Sequence, residues 1–267
     1  MSAFTLPIID GLTVARRNAI KIRRSPEQLA AAVALPAVLI LLFAYVFGSA
    51  IDIPGMPYKE FLLPGIFVQA VIIGAQTTGY TLTLDLQKGI FDRFRSLPMA
   101  RSAVLVGQTV SDLLMNVVAL AVMAGMGLVV GWRVHGSPAE ALAGFGLLLL
   151  FAYAFSWVTA TVALALRTPE SFSGIANMVS LPLVFVSNAF LDSSRLPAPL
   201  RVVAEWNPVS TFTQAARELF GNTSPAMKTS DAWPIQNAVP ASLLWIAVIL
   251  IVFVPLATRR YKKAVSN

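Results

Sequence analysis

The sequence predicts an all-α membrane protein: six transmembrane helices, an N-terminal interfacial helix on the cytoplasmic side, and an outer helical hairpin before the last span. Three observations carry that prediction. Apolar residues make up 57% of the 267 positions and charged residues only 12%, about half the charged share of a soluble domain. Several apolar runs exceed the ~18 residues that argue for a membrane span, and mean hydropathy is +0.72. All twenty Lys and Arg residues fall outside those runs or at their ends.

Residues 1–28 form the first unit. Ile8, Leu12, Ala15, Ala19 and Ile22 recur at steps of four and three and make one apolar helical face, with Arg17, Lys21 and Arg24 opposite. Such a helix is expected to lie in the cytoplasmic interface, drawn to anionic membrane lipid; the alternative is an ordinary basic flank to the first span. A six-span domain follows over 29–257. Its spans are Leu29–Ser49, Phe61–Leu84, Ser102–Trp132, Ala141–Leu166, Phe172–Leu191 and Val239–Ala257. The first begins too late and runs too long for a signal-peptide core and reads as retained. Pro36, Pro64, Pro182 and Pro255 fall in or near spans, where neighbouring helices satisfy the freed carbonyls. Gly127 and Gly131 make a lone GxxxG, which a chain with sixteen glycines also produces by chance. Residues 258–267 are a basic tail.

Charge sets the orientation. The N-terminal segment, the loop after span two, Arg167 and the tail hold fourteen basic residues on one side, whereas the short loops opposite hold only Lys59 and Arg133. Both termini are therefore expected in the cytoplasm, and the 192–238 loop outside. The same bias accounts for the net charge of +7 without nucleic-acid binding. In that outer loop, Leu200, Val203 and Trp206 suit one short helix, and Phe212, Ala215, Ala216 and Leu219 a second. Thr211 and Gln214 have capping-box spacing and Gly221 suits a helix end. The pair is expected to lie on, or dip into, the outer leaflet; the alternative is a loop packed on the bundle.

Several chemistries are excluded. There is no cysteine, and the one histidine, His135, sits in a loop, so thiolate metal sites, HExxH and His-based triads are absent. No G-x-x-x-x-G-K-[ST] occurs, so the chain has no P-loop for ATP. Asp112 is the one ionisable residue well inside an apolar run. A carboxylate there costs a few kcal/mol unless it faces protein or water. Its open roles are a structural anchor, a proton or cation site, and a substrate contact; about three helical turns separate it from Arg101, which favours the anchor. Polar side chains in spans usually join helices. Those left over for a pathway are Gln69, Gln76, Thr78, Asn177, Ser180 and Asn188, with Phe185 adding apolar contact.

Between spans two and three lies a charged, aromatic segment, 85–101. Its stretch Asp85–Arg95 is expected to form a short helix with Leu86, Ile90 and Phe94 on one face and Lys88–Asp92 as an i,i+4 pair. Asp85, Lys88, Gly89, Phe91, Asp92, Arg93, Phe94 and Arg95 offer mixed charge and aromatic surface, which fits a partner protein; the alternative is a solvated turn.

At this point the chain resembles a family. GIFDRFRSLPMARSAVLVGQTVSDLL over 89–114, and SNAF (187–190) followed by AEWNPVSTFTQAARELFG (204–221), resemble the permease subunits of type-2 ABC exporters, in particular their daunorubicin-resistance branch in actinobacteria. The resemblance runs through the whole chain in order. It implies a bacterial cell-membrane permease that pairs with a second copy or a related permease and with two ABC ATP-binding subunits on separate chains. ATP and Mg would be bound by those subunits, with no cofactor in this chain. It further implies that 1–28 is a connecting helix, that the Gly89–Arg95 segment is the coupling helix docked on the ATPase, and that a hydrophobic drug or lipid leaves between the second and fifth spans of facing subunits. Where many relatives carry an acid, Gln87 and Lys88 stand here; Asp85 and Asp92 are the available acids. A proton-coupled secondary multidrug antiporter is the alternative, and a membrane-embedded enzyme a more remote one.

Overall fold

The computed structural model describes residues 34, 37–48, 51–89, 103–166, 168–226 and 230–266. Within them the chain is helical, with no strand beyond an isolated bridge between Ile53 and Met56. An apolar helix α1 (Ala37–Val46) ends in π-helical turns over Leu42–Phe47. Then come α2 (Tyr58–Gln87), α3 (Ala103–Val130), α4 (Pro138–Ala163) and α5 (Pro169–Phe185). The hairpin helices α6 (Ala198–Glu205) and α7 (Pro208–Phe220), the short α8 (Trp233–Gln236) and α9 (Ala238–Ser266) complete the order.

Among the described residues, four helices are long and apolar enough to cross a membrane: α2, α4, the Asp112–Val130 part of α3 and the Ala238–Tyr261 part of α9. With 17 residues, α5 falls just short, and α1 is shorter still. The chain is thus a multi-pass, all-helical membrane protein. Its axis is α2, which packs against α3, α4, α5 and α7, whereas α9 packs on α4 and α7 and shows most of its apolar surface outward. The central helix is also the least apolar of the four, with mean hydropathy 1.5 against 2.6 for α9, because a helix surrounded by protein can carry polar side chains that lipid would penalise. One end of the bundle gathers the hairpin with Phe67, Trp132, Phe145 and Phe220, whose rings meet edge-on or tilted. At the opposite end, Leu82, Trp157, Ala160, Phe172, Ala257 and Tyr261 form a second apolar cluster.

Local chemistry sets the helix ends. Ser137 and Glu140 form a reciprocal capping box that starts α4 at Pro138, three residues before the expected Ala141. Thr168 caps α5 from Ser171 N–H and starts it at Pro169. Gly131, at φ +101°, ends α3; its GxxxG partner Gly127 lies against Leu63 of α2, where a Cβ would collide. The glycine pair therefore combines a helix stop with a close helix contact. Pro64, Pro182 and Pro255 sit inside helices, as expected for a bundle, whereas Pro36 lies outside the described residues. The basic tail continues α9, and Arg260 donates to the Thr161 carbonyl at 2.9 Å.

Some expectations need correction. Span five was expected to run to Leu191, but α5 stops at Phe185. Beyond it the backbone turns, Ser187 bonds to the Val184 carbonyl and to Ala189 N–H, and the freed groups are taken by α7. The proposed Thr211–Gln214 cap is not a helix start: α7 begins at Pro208, and Asn207 caps it by accepting from Val209 N–H at 2.9 Å. Nor does α7 lie on the leaflet. Val209, Phe212, Ala215, Ala216 and Phe220 are buried in the bundle, with Phe212 stacked on Phe151. Only α6 keeps an outward apolar face, of Leu200, Val203 and Trp206. Gly221, at φ +70°, ends α7 as expected. Finally, a helix cannot run unbroken from Asp85 to Arg95: α2 continues to Gln87, and Gly89 at φ +64° leaves helical space.

Candidate functional site

One stripe of α2 (Ile73, Gln76, Thr77, Tyr80) and one of α5 (Phe172, Ser173, Ala176, Asn177) bound an open groove of about 230 Å³. Spacings of three and four put each set on a single helical face. The walls carry hydroxyls, amides and aromatic rings, with no formal charge. Above the groove, Gln76 Nε2 donates to Ser180 Oγ at 2.8 Å, a direct link between the two helices. Below it, Gly79 gives way to the Phe172 ring, which a Cβ would strike. The groove therefore lies open along a stretch where α2 and α5 are held at both ends. An amphipathic molecule with an apolar body and a few hydrogen-bonding groups matches such walls.

The pathway residues expected from sequence fall in different places. Gln76, Asn177 and Ser180 come together at the groove. Gln69 and Thr78 turn into the bundle instead, and their side-chain oxygens Oε1 and Oγ1 are buried without a hydrogen-bond partner. Such atoms cost roughly 1–3 kcal/mol each. Phe185 is exposed and tilts against Phe190, centroid to centroid 5.4 Å. Asn188 is buried beyond the end of α5, far up the hairpin end. Asp112 is 8% exposed on α3, and its carbonyl accepts from Asn116 Nδ2 at 2.9 Å. Asn116 Oδ1 in turn packs where a Cβ on Gly74 of α2 would be, so α2 and α3 meet closely one turn from Asp112.

The side chain missed by sequence reasoning is Arg217. Although it falls in the 192–238 stretch expected to be an outer loop, it is 1% exposed, the most deeply buried cation among the described residues. Nε donates to the Phe61 carbonyl at 2.9 Å, and Nη2 to the Asn188 and Ala189 carbonyls at 2.7 and 3.3 Å. The guanidinium carbon lies 3.5 Å from the Phe61 ring centroid, a desolvated cation–π contact of about 2 kcal/mol. Beside it Asn207 Nδ2 donates to the Leu183 and Val186 carbonyls, and Ser210 Oγ accepts from Asn188 N–H. A polar cavity of about 60 Å³ adjoins this cluster, lined in part by Asn188, Asp192, Gln214 and Arg217. The one signal was the apolar face Phe212–Ala215–Ala216, which required α7 to bury something and carried Arg217 in with it.

Of the expected ATPase-docking residues, Asp85 lies in the last turn of α2, Lys88 caps that helix and Gly89 follows it. Phe91, Asp92, Arg93, Phe94 and Arg95 lie outside the described residues, as does the expected interfacial helix of 1–28.

Comparison with known proteins adds an independent line. The ABC-2 type transporter family matches residues 11–220. The chain is 34% identical to the daunorubicin resistance ABC transporter permease protein DrrB1 of Streptomyces coeruleorubidus, over 94% of this chain and 85% of the relative. It is 24% identical to the probable doxorubicin resistance ABC transporter permease protein DrrC of Mycobacterium tuberculosis, over 75% and 70%. It is also 24% identical to a putative transport permease, ycf38, of Cyanophora paradoxa, over 78% and 73%.

Proposed function

The chain belongs to the ABC-2 type transporter family, as a transmembrane transport permease, and from that premise we propose that it is the permease subunit of an ATP-driven exporter that moves a hydrophobic drug or a lipid outward. The observation that carries the reading is the open, uncharged groove between α2 and α5. The hydrogen-bonding groups of a largely apolar cargo meet Gln76, Thr77, Tyr80, Ser173 and Asn177 there. The relatives named for daunorubicin and doxorubicin resistance point to the same kind of cargo.

The energy comes from elsewhere. The sequence contains no P-loop, so ATP and Mg are held by ABC ATP-binding subunits, two per transporter. They dock on the segment after Gly89, where Phe91, Asp92, Arg93, Phe94 and Arg95 supply the contact and Asp85, Lys88 and Gly89 its root. A second permease, identical or related, faces the groove and completes the pathway. In this reading the chain has six spans with both termini in the cytoplasm of a bacterial cell and the hairpin end outside; the basic residues Lys88, Arg259 and Arg260 at the opposite end support that orientation. Asp112 serves as an anchor for α3, supported by its burial beside the Gly74–Asn116 contact.

The test is co-expression with the ATP-binding subunit encoded nearest to it. The subunit is expected to co-purify, the permease alone to show no ATP hydrolysis, and everted vesicles of the pair to accumulate Hoechst 33342 on addition of ATP. Uptake driven by a pH gradient in vesicles lacking the ATPase would overturn the reading in favour of an antiporter.

A further inference from the structure

Ser180 is the one polar side chain on the packed face of α5, which it shares with Pro169, Phe172 and Val184. It is 9% exposed and does not line the groove between α2 and α5, so a molecule bound there meets it only through a neighbour. That neighbour is Gln76, which lines the groove and donates from Nε2 to Ser180 Oγ at 2.8 Å. Helix geometry favours the contact. Side chains lean toward the N-terminus of their own helix, so Gln76 leans toward the hairpin end, where Ser180 stands one turn beyond Asn177 of the groove wall. The other polar groups of the walls are not held in this way. Thr77 donates to the Ile73 carbonyl of its own helix at 3.4 Å. Asn177 is exposed and has no hydrogen-bond partner among the described residues.

We infer that Ser180 is a positioning residue for cargo: by holding one N–H of the Gln76 amide it fixes the amide plane, and the remaining N–H and Oε1 form a preset pair for an apolar cargo that carries an acceptor and a donor on neighbouring atoms. The inference rests on the proposed cargo role of the groove and names the chemistry the groove selects. A glutamine side chain turns about three bonds, and an unheld one loses that freedom each time it binds. Ser180 removes the loss beforehand. The amide is directional as well: its oxygen accepts and its nitrogen donates in one plane, so two bonds together read a complementary edge of the cargo, as paired amide contacts do elsewhere. Ile73, Phe172 and Ala176 supply apolar surface for the rest of the molecule. The walls carry no formal charge, so hydrogen bonds rather than ion pairs discriminate among cargoes. A cargo lacking the matching groups leaves the held amide unpaired and binds more weakly.

The permease alone, in detergent, suffices for the test, with two fluorescent probes of one outline. Phenanthridinone is a fused tricyclic amide whose N–H sits next to its carbonyl; phenanthrene has the same shape and neither group. Fluorescence titration reads the saturable binding of each. Ser180→Ala is expected to weaken phenanthridinone binding about fivefold, the effect of freeing one ordered side chain, and to leave phenanthrene within about twofold. In a Gln76→Ala chain, Ser180→Ala is expected to add no further loss. A loss shared equally by both probes overturns the positioning role, because the groove as a whole is then disturbed. Unchanged phenanthridinone binding overturns it too, and so does a further loss in the Gln76→Ala chain, where Ser180 has no amide to act through. If neither probe binds the unaltered permease saturably, the groove is no cargo site and the inference falls with the transport reading. If the contrast between probes holds but the permease with its ATPase shows no ATP-driven uptake, the positioning role stands and the exporter reading falls.

Discussion

Single side chains divide between those that hold helices and those that line the groove. Gln76 does both: it joins α2 to Ser180 of α5 and lines the groove. Interhelical hydrogen bonds in membranes average about 0.6 kcal/mol, so Gln76→Ala is expected to cost little thermal stability. Its effect on transport is expected to be larger, a rise of about fivefold in the KM for Hoechst 33342, the worth of one buried hydrogen bond of ~1 kcal/mol. An unchanged KM with a lowered melting temperature would show that Gln76 only holds the helices. Asp112 makes the opposite case. As an anchor beside Asn116 it is expected to tolerate Asn: Asp112→Asn should leave ATP-driven uptake within about twofold of the unaltered chain, the range of a well-accommodated substitution. Uptake abolished by that change, or sensitive to collapse of the pH gradient, would make Asp112 a proton site. At this scale the sequence was legible where a residue type is costly in lipid. It singled out Asp112, yet passed over Arg217, because a charge between two spans reads as loop until α7 is seen to enter the bundle.

At the scale of elements, glycines decide which helices touch. Gly74 admits the Asn116 amide between α2 and α3, whereas nothing lies within 4 Å of a Cβ on Gly146 of α4. Gly74→Ala is therefore expected to lower stability by about 1–3 kcal/mol through overpacking. Gly146→Ala is expected to raise it by up to about 1 kcal/mol through helix propensity. Thermal unfolding of the detergent-solubilised permease checks both, and equal effects would contradict the packing described. Helix ends show the same dependence on local chemistry. The Ser137–Glu140 box, Thr168, Asn207 and Gly221 all follow known capping patterns, so the starts of α4, α5 and α7 were readable in principle. The Thr211–Gln214 pair matched the capping-box spacing equally well and was the wrong choice. Spacing alone cannot say which of two overlapping caps is used; burial of the Phe212 face chose Asn207, because it needs α7 to begin one turn earlier.

For the whole molecule, the decisive prediction concerns energy transfer. Arg93→Ala and Phe94→Ala are expected to leave the ATPase bound and hydrolysing while uptake of Hoechst 33342 falls about tenfold or more, as loss of one well-buried interface anchor allows. Coupling preserved in both variants would remove the segment after Gly89 from the docking role. That segment begins where α2 ends, and α2 is also the axis of the bundle and one wall of the groove. A displacement imposed at Gly89 would thus act on the same helix that lines the groove at Gln76. The proposed input and the proposed cargo site share one helix.

The sequence by itself determined the membrane class, the helical architecture, the absence of a P-loop motif and the order of the elements, because hydropathy, charge asymmetry and motifs are properties of the chain read along its length. Only the tertiary structure decided that α5 breaks at Phe185, that α7 packs inside the bundle, and that Gln76, Asn177 and Ser180 meet while Gln69 and Thr78 turn away. In lipid both faces of a helix are apolar, so periodicity carries little information about which face meets which neighbour. That choice is made by packing, by glycines that admit a partner, and by buried carbonyls such as those of Phe61, Asn188 and Ala189 that must find a donor and find Arg217.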